Sequence, residues 1–193
     1  MLSDRFTYPH YLIRKKFFSL FGSKFHIYGP AGELVLYSRM KPLRLREDIR
    51  LYTGEDMRNE VLSIKARNII DFSATYDVID ARINEKVGAL KRRGFKSVLK
   101  DEWIFLDNED REIGFIKEDS RLFAFLRRFI TNIIPQEFHG YVKGTPVCTF
   151  KQHFNPFVLK ISADFSGDVN GLLDKRLGIA AAVLLCGIEG RQR

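Results

Sequence analysis

The chain ends on an unbroken apolar stretch, Gly178-Ile-Ala-Ala-Ala-Val-Leu-Leu-Cys-Gly-Ile188, after a long run of strand-like segments. About 11 residues at ~1.5 Å rise span roughly 16 Å, half of the ~30 Å that a bilayer core requires. Extending the stretch toward the N-terminus brings in Asp174, Lys175 and Arg176. A helix that is apolar on every side has to be enclosed on every side. The segment Leu172–Ile188 is therefore expected to be a core helix, and the rest of the chain has to supply its enclosure.

The rest of the chain is a series of short strand-like runs separated by turn residues. They are expected at Tyr11–Phe18, Lys24–Tyr28, Glu33–Ser38, Asp48–Thr53, Glu60–Arg67, Thr75–Asp80, Lys86–Arg92, Trp103–Asp107, Glu112–Lys117, Gln136–Val142, Thr145–Phe150 and Phe157–Ser162. The first run carries aromatics around a basic Arg14-Lys15-Lys16. Two hairpins repeat one pattern: Tyr76-Asp-Val-Ile-Asp…Glu85-Lys-Val-Gly-Ala-Leu-Lys and Trp103-Ile-Phe-Leu-Asp…Arg111-Glu-Ile-Gly-Phe-Ile-Lys. About twelve strands joined mainly as hairpins suggest an antiparallel meander. A closed barrel of that size has room for one slim helix, as small barrels filled by their own side chains do not. The fold expected is mainly β: about twelve antiparallel strands closed around a buried hydrophobic C-terminal helix, in a single domain spanning 1–193 with its core at about 11–189. One further amphipathic helix is expected at about 120–133, where Leu122, Phe125, Leu126, Phe129 and Ile133 make one stripe before Pro135.

Charge narrows the partners. The formal net charge is +8 and the sequence pI about 9.5, which favours an anionic counterpart. Cys148 and Cys186 lie in apolar segments without metal or redox spacing and read as buried free thiols. The N-terminal residues show no apolar signal-peptide core, so a cytoplasmic location, peripheral to the membrane, is the expectation. Nucleotide-binding glycine loops, the Gly-x-Ser-x-Gly nucleophile turn and His-Glu-x-x-His are all missing. No catalytic residue, cofactor or metal site is assigned, and the chain is read as non-enzymatic.

Three segments carry the family resemblance: Tyr76-Asp-Val-Ile-Asp with Lys86-Val-Gly-Ala-Leu-Lys-Arg; Lys96-Ser-Val with Asp101-Glu-Trp-Ile; and Ile113-Gly-Phe-Ile-Lys-Glu-Asp-Ser. Together with Leu173-Asp-Lys-Arg-Leu-Gly-Ile-Ala-Ala-Ala, they make the chain resemble a bacterial member of the LURP-one-related family, in the tubby C-terminal-like superfamily that includes phospholipid scramblases. The resemblance covers about Tyr11 to Glu189. It implies a twelve-stranded barrel around a hydrophobic C-terminal helix. It also implies a lipid-facing role, because tubby proteins bind phosphoinositides through Lys and Arg beside a rim strand. Arg39 and Lys41 occupy a comparable place, after the third strand.

The candidate anionic-ligand residues are accordingly Arg39, Lys41, Arg44 and Arg46 in one connection, and Lys91, Arg92 and Arg93, with Lys96 and Lys100 beyond them, in another. The alternative is a solvated, solubilising face. The partner expected is an anionic lipid or membrane surface, with no specific nucleic acid. A scramblase-like lipid handler, and a small-ligand carrier or enzyme with a pocket at a barrel mouth, stand as competing readings. The acidic segment Asp164 to Asp174 lacks the donor spacing of a calcium loop, so a turn with a helix cap is expected there.

Overall fold

A computed structural model describes residues 4–18, 22–40, 48–67, 74–93, 102–119, 136–153 and 158–188. Within them twelve strands alternate in direction: β1 (His10–Phe18), β2 (Gly22–Tyr28), β3 (Leu34–Met40), β4 (Asp48–Tyr52), β5 (Glu60–Ala66), β6 (Thr75–Asp80), β7 (Glu85–Arg92), β8 (Glu102–Leu106), β9 (Glu112–Glu118), β10 (Glu137–Val142), β11 (Thr145–His153) and β12 (Val158–Asp164). Each pairs antiparallel with its neighbours in sequence, and β12 closes on β1 to complete the barrel. The C-terminal helix, α1, runs from Lys175 to Ile188. It starts three residues later than the apolar pattern suggests. Leu172 and Leu173 instead belong to the lead-in turn, where their N–H groups donate to the Asp168 carboxylate at 2.8 and 2.9 Å. The segment expected as an amphipathic helix at about 120–133 lies outside the described residues.

Some strands read as strands because apolar and polar residues alternate along them, and others, such as β8, because they are short apolar runs bounded by turn residues. In β6, Tyr76, Val78 and Asp80 are buried, while Thr75, Asp77 and Ile79 are partly exposed. With strands ~4.8 Å apart and tilted about 40°, twelve of them close at roughly 24 Å across the backbone. Inward side chains and a helix of ~10–12 Å diameter fill that space. In α1, Leu177, Ile179, Val183, Leu184 and Leu185 are buried, as are Ala180, Ala181 and Ala182 between them. The alanines keep the helix slim enough to be ringed by strands. Gly88 of β7 serves the same end: a Cβ there would collide with the Leu106 carbonyl and crowd the Leu177 side chain. Its counterpart in the repeated hairpin, Gly114, leaves room for the Tyr141 carbonyl of the next strand.

Antiparallel alternation gives the barrel two distinct rims. At the near rim lie the β2–β3, β4–β5, β6–β7, β8–β9 and β10–β11 turns and the entry to α1. Odd-numbered strands end at the far rim. There the helix C-terminus meets Lys15, whose Nζ donates to the carbonyls of Gly187 at 3.0 Å and Cys186 at 3.4 Å. This side chain is buried, and its charge opposes the negative end of the helix dipole.

An ion network fixes the near end of α1. Asp174 caps the helix, accepting the Arg176 N–H at 2.9 Å on its carboxylate and the Gly178 N–H at 3.1 Å on its carbonyl. The Arg176 guanidinium then bridges Asp174 and the fully buried Asp80 of β6, at 2.8 Å from Nη1 to the latter's Oδ2. Asp80 also accepts from Arg82, through Nε at 2.9 Å and the backbone N–H at 3.1 Å. Burial works to raise the Asp80 pKa, but the hydrogen bonds from Arg82 and Arg176 prevail and lower it to about 2.

Candidate anionic-ligand site

The outer wall carries the charge, and strand register decides which charges meet. On β1 the alternation divides the run Arg14-Lys15-Lys16: Ile13 and Lys15 are fully buried, while Arg14 and Lys16 stand on the outer face. Lys16 lies directly opposite Lys24 of β2, and Lys24 directly opposite Arg39 of β3. In the other direction Arg14 lies opposite Lys160 of β12, which is opposite His153 of β11. Lys151 of β11 faces outward two residues from His153, opposite Ser162. A single face across β11, β12, β1, β2 and β3 thus presents Lys151, Lys160, Arg14, Lys16, Lys24 and Arg39. Among the described residues, Lys16, Arg39 and Lys160 take no carboxylate partner, and Lys151 has only Glu137 at 3.9 Å.

The opposite wall differs. Arg67 pairs with Asp77 and Asp110, and Lys86 pairs with Asp110 at 2.7 Å. Arg50 sits 3.0 Å from Asp48, and Arg111 sits 2.7 Å from both Asp107 and Glu109. These four cations are matched locally by carboxylates. Among the described residues, cations in directly opposed positions therefore gather on the β11–β3 wall.

Of the residues singled out in the sequence, Arg39 is exposed at the end of β3 and joins this face. Lys41, Arg44 and Arg46 lie outside the described residues, as do Lys96 and Lys100. Lys91 is exposed on the outer face of β7, and Arg92, next along, turns to the inner side opposite Trp103. Arg93 is matched by Glu102 at 3.1 Å and Glu112 at 3.7 Å. Strand direction puts the ends of β3 and β7 on the same rim, four strands apart in the wall. At ~4.8 Å per strand that is about 19 Å around the barrel. The structure therefore joins Arg39 to Lys24 and Lys16 and leaves it well apart from Lys91 and Arg93. Sequence reasoning missed Arg14, Lys16, Lys24, Lys151 and Lys160 as site residues. The signal for the first two was the two-residue alternation within β1. The others gather through cross-strand register, which sequence spacing does not reveal.

A groove of about 620 Å³ runs beside this face across β2, β1, β12 and β11. Arg14, Lys151, Ser162 and Asp164 supply its polar side, and Leu12 and Pro30 part of its apolar side. The Arg14 guanidinium carbon sits 5.7 Å from the centre of the Tyr28 ring. That separation is within cation–π range. Its Nε is shielded from solvent without a hydrogen-bond acceptor among the described residues. His153 Nε2 lies 2.6 Å from the Ser162 hydroxyl, and His10 Nδ1 lies 3.3 Å from Asp164 Oδ1. His26 contacts Glu55 at 3.1 Å, and His139 lies 3.8 Å from Asp119. The carboxylates of the acidic segment hold backbone: Asp164 accepts the Ser166 N–H, and Asp168 the two leucine N–H groups before α1.

Comparison with models of protein families, with curated proteins and with solved structures finds no significant match to this chain. No helix among the described residues is long and apolar enough to cross a membrane.

Proposed function

We propose that this chain is a non-enzymatic barrel protein that docks on anionic phospholipid headgroups, as a membrane-peripheral adaptor. The reading includes kinship with the LURP-one-related and tubby-like barrels, which a twelve-stranded wall around a C-terminal helix supports at the level of architecture. One observation carries the functional part: three pairs of like charges stand directly opposite each other, Lys160 with Arg14, Lys16 with Lys24 and Lys24 with Arg39. Like charges in directly opposed positions destabilise a sheet. A wall that keeps three such pairs, while Arg50, Arg67, Lys86, Arg93 and Arg111 on the opposite wall sit beside carboxylates, suits an anionic counterpart. Each Lys or Arg near an anionic leaflet contributes ~1 kcal/mol, so six amount to about 6 kcal/mol, enough for reversible adsorption.

The test is co-sedimentation with phosphatidylcholine vesicles, with and without phosphatidylglycerol, at low and physiological salt. The protein should pellet with the anionic vesicles alone and dissociate as salt rises. Charge reversal of Lys16, Lys24 and Arg39 to Glu should weaken binding by roughly 100-fold or more, at ~1 kcal/mol lost per cation. Reversing Lys91 and Arg93 should have a smaller effect. Equal losses in the two variants would assign the effect to net charge and remove this face as the site.

A further inference from the structure

We infer that the groove across β2, β1, β12 and β11 binds a zwitterionic headgroup: a phosphate that carries a short amine arm, of the phosphoethanolamine type. The inference rests on the lipid-surface reading for its membrane source, while the groove's own chemistry stands apart from it. The groove is open on one side and offers about 620 Å³. That is the size of a small-ligand site.

Its positive end is built by register. Ser162 lies directly opposite Lys151 on one side and Leu12 on the other, and Arg14 is two residues beyond Leu12 on the same face. With ~4.8 Å between strands and ~3.3 Å per residue, the backbones at Lys151 and Arg14 are about 12 Å apart. Arg14 lines the groove from the Tyr28 side and Lys151 from the β11 side, and a phosphate over the Ser162 hydroxyl would lie between the two cations. Tyr28 holds the guanidinium by stacking, and the shielded Arg14 Nε still requires an acceptor. His153 sits against Ser162, so a proton on His153 Nε2 leaves the serine hydroxyl free to donate to the ligand.

The other end is negative. Asp164 lies two residues along β12 from Ser162, on the same face. Two residues of extended strand span about 7 Å. Burial acts to raise the Asp164 pKa and the Ser166 hydrogen bonds reverse that, so it stays ionised at neutral pH. Its Oδ1 takes the Ser166 N–H and faces His10, and the Ser166 side chain supplies a further hydrogen bond to the carboxylate. A bare phosphate would meet attraction at Arg14 and Lys151 but repulsion at Asp164. An ammonium two carbons from the phosphate turns Asp164 into a contact.

The experiment is an NMR or calorimetric titration of the full chain with inorganic phosphate, ethanolamine and phosphoethanolamine. Phosphoethanolamine should bind at least about tenfold more tightly than either fragment, the effect of one charge-assisted contact. Asp164→Asn should erase that advantage while phosphate binds at least as tightly as before, since its repulsion from the carboxylate is removed. Ser162→Ala and Arg14→Gln should each weaken phosphate and phosphoethanolamine together, and Ser162→Ala, which leaves every charge of the basic face intact, decides if Arg14→Gln fails to fold. Equal affinity for phosphate and phosphoethanolamine, or indifference to Asp164→Asn, overturns the inference. Phosphatidylethanolamine in neutral phosphatidylcholine vesicles separates the sources: retention assigns a lipid headgroup, and binding of the free ester alone assigns a soluble phosphoester. Anionic vesicles lacking ethanolamine lipid test only the basic face. Failure there with phosphoethanolamine still bound leaves the groove standing, and the reverse removes it.

Discussion

Replacing Asp80 with Asn tests how α1 is anchored at the near rim. The carboxylate is fully buried, takes Arg82 and Arg176, and has its pKa lowered from 3.8 to about 2, with burial opposed and outweighed by those two donors. The drop, at ~1.4 kcal/mol per pH unit, amounts to roughly 2.5 kcal/mol of differential stability for the ionised form. Asparagine keeps the shape and one acceptor but has the charge of the protonated acid. The Asp80→Asn protein should therefore lose about 2–3 kcal/mol at pH 7. Because the folded-state pKa is the lower one, the stabilisation is fully present above the unfolded value near 4. It fades as pH falls through about 2. Urea unfolding of wild type and variant at several pH values checks this: the two stability curves should lie apart at pH 7 and converge toward pH 2. Asp80→Ala should be worse than Asp80→Asn, since it leaves Arg82 and the mostly buried Arg176 without their shared acceptor. A constant gap between wild type and Asp80→Asn across the pH range, or a gap under about 0.5 kcal/mol at pH 7, would refute the account and leave packing alone to hold the helix.

Deleting Leu172–Arg193 should abolish cooperative folding. Leu177, Ile179, Val183, Leu184 and Leu185 of α1 are all buried. At ~1.5–3 kcal/mol each they contribute roughly 8 to about 15 kcal/mol gross, as much as a domain's whole net stability. A soluble truncation with a sharp thermal transition would contradict this. Cys148 and Cys186 should resist thiol reagents in the native state and react on unfolding. Burial pushes both thiols up, Cys186 to about 12 even with Lys15 nearby, and a free-thiol assay with and without denaturant measures the difference.

The barrel was legible because its instructions are local. β6 alternates residue by residue, β8 is a short continuous apolar run, and both the β6–β7 and β8–β9 hairpins turn on residues that suit the backbone: Asn84 and Asp110 adopt positive φ there, as these two side-chain types tolerate. The helix was legible from a count of uninterrupted apolar residues against the thickness of a bilayer. Its start was less so, because Leu172 and Leu173 continue the apolar pattern and only the hydrogen bonds to Asp168 show that they precede the helix. The basic face is another kind of object. Arg14 and Lys160 are far apart in sequence and directly opposed in the sheet. Runs such as Lys91-Arg-Arg93 draw attention in a sequence, yet the wall turns Arg92 inward and matches Arg93 with two glutamates. Proximity along the chain overstates charge density in strands, since neighbours point to opposite faces.

That same alternation ties the interior to the face on β1. Lys15 points inward, where its ammonium meets the helix carbonyls and lies 5.6 Å from the centre of the Phe25 ring, while Arg14 and Lys16 point outward. A slip of one residue in β1 would exchange these sets: Arg14 and Lys16 would be buried against apolar strands, and Ile13 and Lys15 would be exposed. The slipped state would place two guanidinium or ammonium groups where the helix C-terminus offers acceptors for one. Desolvation of an unmatched cation costs several kcal/mol, so the helix end selects the register. By fixing Lys15 inside, it also fixes Lys16 against Lys24 and Arg14 against Lys160. The buried helix thus bears on any surface chemistry of the barrel without touching a ligand, because it sets which side chains of β1 face out.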